Sequence, residues 1–328
     1  MFLDREEELK MLMKAAKTGD KVLIIGLRGY GKTSLAKEFY RRLIDMNVKS
    51  VFVNCLKILS PMDLIELLKE QVGIQIDGKT SKEVLEKFFY DGEKAGVKVF
   101  IIDEFTTLFR RFGMIKPYRG SGGPMAVAEH FKSILDDLNS AVIALDTSFK
   151  DVKEFVKDYS SPLFRQFTIE IKLNPLPIEY AIQLAKIKAK EWGVELDEKS
   201  AIKLAELFGG VPFYIIVASR ALRKGSSIEK VFEEELTRGF LNEYFSLLLE
   251  KFSTTEQQVL YLISRGKRRF FEIDEMVEGA AQALESLQIK GIVERFEKSR
   301  REVYYRITDK VFEAWLSASD IDYIDNPL

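Results

Sequence analysis

The stretch Gly26-Leu27-Arg28-Gly29-Tyr30-Gly31-Lys32-Thr33 constrains this chain more than any other. It follows the apolar run 22–25 and precedes Ser34-Leu35-Ala36-Lys37-Glu38-Phe39, so it reads as buried strand, glycine-rich turn and helix. The spacing G-x-x-x-x-G-K-T is the Walker A phosphate loop. Its glycines accept backbone angles that a Cβ forbids, which lets successive amides curl round an anion. The helix that starts here adds a partial positive charge. The expected nucleotide contacts are Gly26, Arg28, Gly29, Tyr30, Gly31, Lys32, Thr33 and Ser34. Lys32 would set its ammonium on the β- and γ-phosphates, and Thr33 would offer a hydroxyl ligand to Mg²⁺.

A second motif supports the first. Val97-Lys98-Val99-Phe100-Ile101-Ile102-Asp103-Glu104 is an apolar strand ending in two acids, the Walker B pattern. Asp103 would hold Mg²⁺, and Glu104 would polarise an attacking water, a role worth ~10² to 10⁴ in rate. Strand 141–145 is followed by Asp146-Thr147-Ser148, where Thr147 or Ser148 either senses the γ-phosphate or caps the next helix. Arg165, just ahead of strand 167–171, is either a guanidinium that reaches a neighbouring subunit's nucleotide or a solvated loop arginine.

Length and charge bound the rest. A chain of 328 residues is expected to form two or three units. Its 50 basic and 51 acidic residues leave a net charge of -1, so any DNA contact must come from local patches. With a single cysteine, Cys55, no leader pattern at Met1-Phe2-Leu3-Asp4-Arg5 and no apolar run near the ~20 residues that span a bilayer, the expectation is a cytoplasmic protein with no membrane partner. The lone histidine, His130, reads as a surface or boundary residue.

In chain order, Asp4 is expected to cap a first helix rich in acids, and helices follow from Pro61 and from a cap at Ser81. Residues 113–124 hold four glycines and two prolines, and are expected to form a mobile loop. After Pro175-Leu176-Pro177 the pattern becomes helical only, at 178–192, 197–208, 212–223 and 228–251: a helical lid. From Ser253 on, three short helices and a hairpin with a basic tip spell a winged helix, with 280–290 as its recognition helix. The expected domains are therefore 1–174, 175–251 and 252–328.

With these parts assembled, the chain resembles the archaeal ATPase family, within the signalling-type branch of AAA+-like P-loop ATPases, and its domain order is similar to that of the archaeal origin-recognition initiators. The resemblance is carried by Phe2-Leu3-Asp4-Arg5-Glu6-Glu7-Glu8-Leu9, the loop 26–33 with its Arg28, Asp103-Glu104-Phe105, Arg165 and Gly209-Gly210-Val211-Pro212-Phe213-Tyr214. It implies an α/β fold with a parallel five-stranded core ordered 5-1-4-3-2. It also implies that Phe2, Arg5 and Pro212 lie near the adenine or the phosphates, with Lys32, Asp103, Glu104 and Arg165 as the catalytic set. The cofactors implied are ATP or ADP and Mg²⁺.

Two functions are compatible with the sequence. One is a slow ATPase switch whose winged helix binds duplex DNA through Lys267, Arg268, Arg269, Lys298, Arg300 and Arg301. The other is a signalling ATPase whose winged helix binds a protein partner rather than DNA; self-association is compatible with either.

Overall fold

Five short apolar runs become parallel strands; the central ones, at 21–25, 99–103 and 141–146, are buried on both faces, whereas the edge strand at 169–172 exposes Glu170 and Lys172. The computed structural model describes residues 3–299 and 302–319. The chain divides into two compact units, Met1–Asn174 and Pro175–Leu328. In the first, β1 (Lys21–Ile25), β2 (Ser50–Asn54), β3 (Val99–Asp103), β4 (Ala141–Asp146) and β5 (Ile169–Lys172) form one parallel sheet ordered β2-β3-β4-β1-β5. This is the expected order 5-1-4-3-2, read from the opposite edge. Asp103 stands opposite Leu145, and Ile25 opposite Asp146, so β1, β3 and β4 end together along one edge of the sheet.

The helices of this unit are α1 (Glu6–Thr18), α2 (Lys32–Asp45), α3 (Pro61–Val72), α4 (Ser81–Lys94), α5 (Phe105–Phe112), α6 (Pro124–Asp137) and α7 (Phe149–Val152), the last running into a π-helical turn at Lys153–Lys157. A chain of buried rings fastens α5 to its neighbours. Phe109 meets Phe105, Phe131 and Phe155 edge-on or tilted, with centroids 5.4 to 5.5 Å apart, and Phe89 continues the chain from Phe131 to Phe100 on β3. Such pairs add ~0.5–1.5 kcal/mol each beyond the area they bury. The consequence is local. Glu104, immediately before α5, is set on a rigid base.

Several local expectations are corrected. Arg5, not Asp4, occupies the N-cap of α1, in the left-handed region at φ 71 and without a side-chain cap. Thr80, not Ser81, caps α4, because the Ser81 hydroxyl donates instead to the Lys116 carbonyl at 2.9 Å. That bond also ties down the segment 113–124. Its Tyr118 is buried and its hydroxyl lies 2.5 Å from His130 Nδ1, while the Ser121 and Gly123 amides both donate to the Tyr118 carbonyl. Residues 113–123 form no helix or strand, as their breakers lead one to expect, and the glycines serve a set of close turns. His130 sits at the boundary, bridging Tyr118 and Glu86.

The second unit contains α8 (Ile178–Glu191), α9 (Glu198–Leu207), α10 (Pro212–Ala221), α11 (Ile228–Thr237), α12 (Phe240–Leu249), α13 (Thr254–Ser264), α14 (Phe270–Asp274), α15 (Ala280–Ile289), the hairpin β6 (Val293–Ser299) and β7 (Glu302–Ile307), and α16 (Lys310–Ala318). The helix expected over 228–251 breaks at Gly239. The buried Glu235 carboxylate accepts from the Leu241 amide at 3.1 Å and occupies the space that a Cβ on Gly239 would need. Helices α10, α12 and α16 share a core. Phe245 on α12 packs against Phe312 and Trp315 on α16, Trp315 Nε1 donates to Asn242 at 2.8 Å, and the Tyr214 hydroxyl on α10 donates to Asp309, the cap of α16, at 2.5 Å. No helix among the described residues is long and apolar enough to cross a membrane.

Candidate functional site at the phosphate loop

The loop leaves β1 at Gly26 and enters α2 at Lys32, with Gly31 as the helix N-cap at φ 91, a conformation that favours glycine. Gly26 is needed for a different reason: a Cβ there would sit 3.0 Å from the Leu173 carbonyl, where the chain leaves β5. Lys32 is only 5 % exposed, and its Nζ donates to the Gly26 carbonyl at 2.7 Å and the Leu27 carbonyl at 3.1 Å. Burial lowers its pKa to about 8, against the attraction of Glu104, Asp103 and Asp146. A polyphosphate would reverse that shift by supplying the anion that the buried ammonium needs.

Asp103, at the end of β3, is 2 % exposed. Its Oδ2 accepts from the Thr33 hydroxyl at 2.8 Å, whereas its Oδ1 is buried with no hydrogen-bond partner. Burial pushes this carboxyl above its usual range, although the Thr33 bond opposes the shift. A buried, unmatched carboxylate oxygen calls for an explanation. A hydroxyl and a carboxylate side by side at a phosphate loop are the hard oxygen donors that Mg²⁺ takes in company with substrate phosphates, so Thr33 and Asp103 fit that ion. When bound, Mg²⁺ would neutralise phosphate charge.

Glu104 has left-handed angles, φ 56 and ψ 50, which aim its side chain out of the strand just before α5 begins. The Thr147 hydroxyl lies 2.5 Å from both of its carboxylate oxygens, and the Thr147 amide is 3.3 Å from Oε2. Ser148 is a helix cap, accepting from the Asp151 amide at 3.2 Å. Beneath them Asp146 is 1 % exposed; its Oδ2 accepts from both the amide and the hydroxyl of Thr106, and its Oδ1 accepts from the Ser148 amide. Burial raises the Asp146 pKa to about 7. Asp146 thus joins the first turn of α5 to the end of β4, with Glu104 and Thr147 on either side of the joint. The pairings of Thr106 with Asp146 and Glu104 with Thr147 were missed in the sequence, where the residues stand about forty positions apart.

The remaining candidates are distributed unevenly. Tyr30 is buried in the loop, and Arg28 and Ser34 are exposed. Arg5 is buried, with its guanidinium 2.5 Å from the Asn174 carbonyl and 3.2 Å from Glu8, which places it beside the segment that packs on Gly26. Arg165 is exposed in the left-handed region at φ 63, its guanidinium 5.2 Å over the Phe164 ring. Pro212 opens α10 in the second unit. Lys267, Arg268 and Arg269 are exposed between α13 and α14. Phe2, Arg300 and Arg301 lie outside the described residues, and of Lys298 only the backbone, in β6, is described.

A parallel sheet of this order with a phosphate loop after its β1 strand and paired acids after its β3 strand defines a P-loop ATPase core. Residues 2–218 match the model of an ATPase domain found predominantly in Archaea, and the chain belongs to that family. No curated protein sequence matches it. Among solved structures it is similar to a Walker-type ATPase of Pyrococcus abyssi, with a TM-score of 0.75 and 19 % identity over 96 % of each chain. It is also similar to the Holliday junction branch migration motor RuvB of Thermotoga maritima, with a TM-score of 0.50 and 16 % identity over 95 % of each chain. At these identities the likeness is one of fold.

Proposed function

We propose that the protein is a slow Mg²⁺-dependent ATP hydrolase whose nucleotide state governs nucleic-acid binding by its C-terminal winged helix. One observation carries the catalytic part: the unmatched Asp103 oxygen beside Thr33, within the same cluster as the buried Lys32. In this reading Lys32 and the loop amides hold the phosphates, Thr33 and Asp103 hold Mg²⁺, and Glu104, oriented by Thr147, takes the proton of the attacking water. Hydrolysis is slow because Arg165 stands exposed on Phe164 and acts on the nucleotide of a second copy, and an arginine supplied in trans is worth ~10³ to 10⁵ in rate.

Nucleic-acid binding is supported by the exposed run Lys267-Arg268-Arg269 in a chain whose overall charge is near zero. A protein partner is the second reading. It is favoured by Lys290, the basic residue of the expected recognition helix 280–290, whose ammonium is 2.6 and 2.8 Å from the two Glu256 oxygens. ATP turnover measured with and without DNA, across a range of protein concentrations, tests the whole. Turnover per chain that rises with concentration and with DNA is the expected result. Turnover independent of both would refute the trans arginine and the coupling.

A further inference from the structure

Among the described residues from α13 onward, exposed positive charge is concentrated away from α15, the helix that a duplex-reading winged helix would place in a groove. On α15, Gln282 and Glu285 are exposed, and Lys290 at its C-cap is paired with Glu256. The basic residues gather instead at the turn between α13 and α14, where Arg265, Lys267, Arg268 and Arg269 are all exposed. This turn pairs with the hairpin: the Tyr305 amide donates to the Arg268 carbonyl at 2.8 Å, and Arg269 forms an antiparallel bridge with Tyr304. Between turn and hairpin lies a cavity of about 610 Å³ lined by Gly266, Arg268, Arg269, Glu272, Phe296 and Tyr304. Cavities of ~300–1,000 Å³ hold ligands of small-molecule size.

The walls of this cavity have a particular chemistry. Phe296 and Tyr304 face each other across the hairpin as a near-parallel pair, with ring centroids 5.5 Å apart and an interplanar angle of 21°. The Arg306 guanidinium lies 5.4 Å over Phe296, and that of Arg269 lies 5.4 Å over Tyr304 while bonding to its hydroxyl at 3.1 Å. Each ring of the pair therefore has a guanidinium about 5.4 Å from its centroid, beside a basic turn. Aromatic platforms flanked by arginines are how proteins hold unpaired bases, because every base has a π-face and its phosphate seeks a cation. A duplex keeps its bases stacked on one another and offers such a platform nothing except at an end.

We infer that this cavity binds an unpaired nucleotide of a single strand or a duplex tail, the base joining the Phe296–Tyr304 stack and the phosphates lying along Arg268 and Arg269. This rests on the nucleic-acid reading above and specifies which strand form is bound and where. Arg268 already pairs with Glu313 at 2.8 Å, so binding exchanges one carboxylate partner for a phosphate and is sensitive to salt.

The test is fluorescence anisotropy of the full-length protein at low salt with three probes: a single-stranded oligothymidylate, a blunt duplex, and the same duplex with an unpaired tail. A 2-aminopurine placed in the strand reports stacking directly. The expected result is tighter binding of the single strand and the tailed duplex than of the blunt one, with quenched 2-aminopurine fluorescence. Phe296→Ala should weaken the single strand about 5- to 150-fold and abolish quenching. Phe296→Leu, which keeps an apolar side chain on the hairpin, should also abolish quenching, while Glu285→Ala leaves both readouts unchanged. Equal binding of blunt duplex and single strand without quenching would overturn the cavity but keep nucleic-acid binding. Binding of none of the probes would overturn both, and capture of an acidic peptide in that case would turn the basic turn into a protein-docking surface.

Discussion

The buried Lys32 makes nucleotide affinity a function of pH, with a calculable slope. Without nucleotide its pKa is about 8, because burial outweighs the pull of Glu104, Asp103 and Asp146. Polyphosphate alongside restores the charged form, so the bound pKa returns to 10.5, the ordinary lysine value, or above. Above pH 8, binding must therefore take up a proton. The linkage relation makes Kd for Mg·ATP rise by about 20-fold between pH 7.5 and 9.5, with close to one proton absorbed per nucleotide at the upper end. Asp146, raised to about 7, is ionised over the upper part of that window, so the slope there belongs mainly to Lys32. Calorimetry in buffers of different ionisation enthalpy measures the proton directly. Lys32→Gln should bind weakly and show neither slope nor uptake. A flat Kd with no proton uptake in the unaltered protein would show that Lys32 is charged in the empty loop, and the burial argument would be wrong. The same shift acts on folding with the sign worked the same way. The unfolded lysine holds its proton up to about 10.5 while the folded one releases it at about 8, so the stability of the nucleotide-free protein should increase with pH between those values.

Other consequences can be measured separately. Glu104→Gln should retain nucleotide affinity but lose about 10² to 10⁴ in kcat, and unchanged turnover would remove Glu104 as the base. Thr147→Val removes the hydroxyl 2.5 Å from Glu104 and should lower kcat about tenfold with KM unchanged, while Thr147→Ser restores it; a rise in KM alone would place Thr147 on the nucleotide instead. Phe109→Ala empties the centre of the ring cluster and should cost about 3–5 kcal/mol in urea unfolding, and a loss below about 1 kcal/mol would mean that the cluster collapses into the gap.

The legible parts of this chain were those in which residue type and spacing carry the chemistry together. The phosphate loop and the acids after β3 are of this kind, since Gly31, Lys32, Thr33, Asp103 and Glu104 can each be placed by what a phosphate and a metal require. The strand order came from the resemblance to a family, because apolar strands look alike whichever neighbour they choose. The illegible parts depend on register. Nothing local in Thr106 announces Asp146; they meet because β3 and β4 run parallel and end level, and the next residues then share a carboxylate. At 113–124 the glycines serve turns joined to Tyr118, His130 and Ser81, contacts that composition does not announce. The break at Gly239 depends on a buried glutamate four residues earlier, a pairing that helical periodicity hides.

The bond from Tyr214 to Asp309 and the packing of Phe245 on Trp315 have an evolutionary corollary. Modules that recombine freely are those whose boundaries cut few contacts. Here α10 and α12 supply walls of a common interior with the last described helix, α16, so the C-terminal segment is inherited with the helices before it and drifts at their pace. A relative that acquired a different tail would have to rebuild α10 and α12 to receive it, and lineage-specific variation should therefore concentrate on the turn and hairpin, which can change without reopening that interior.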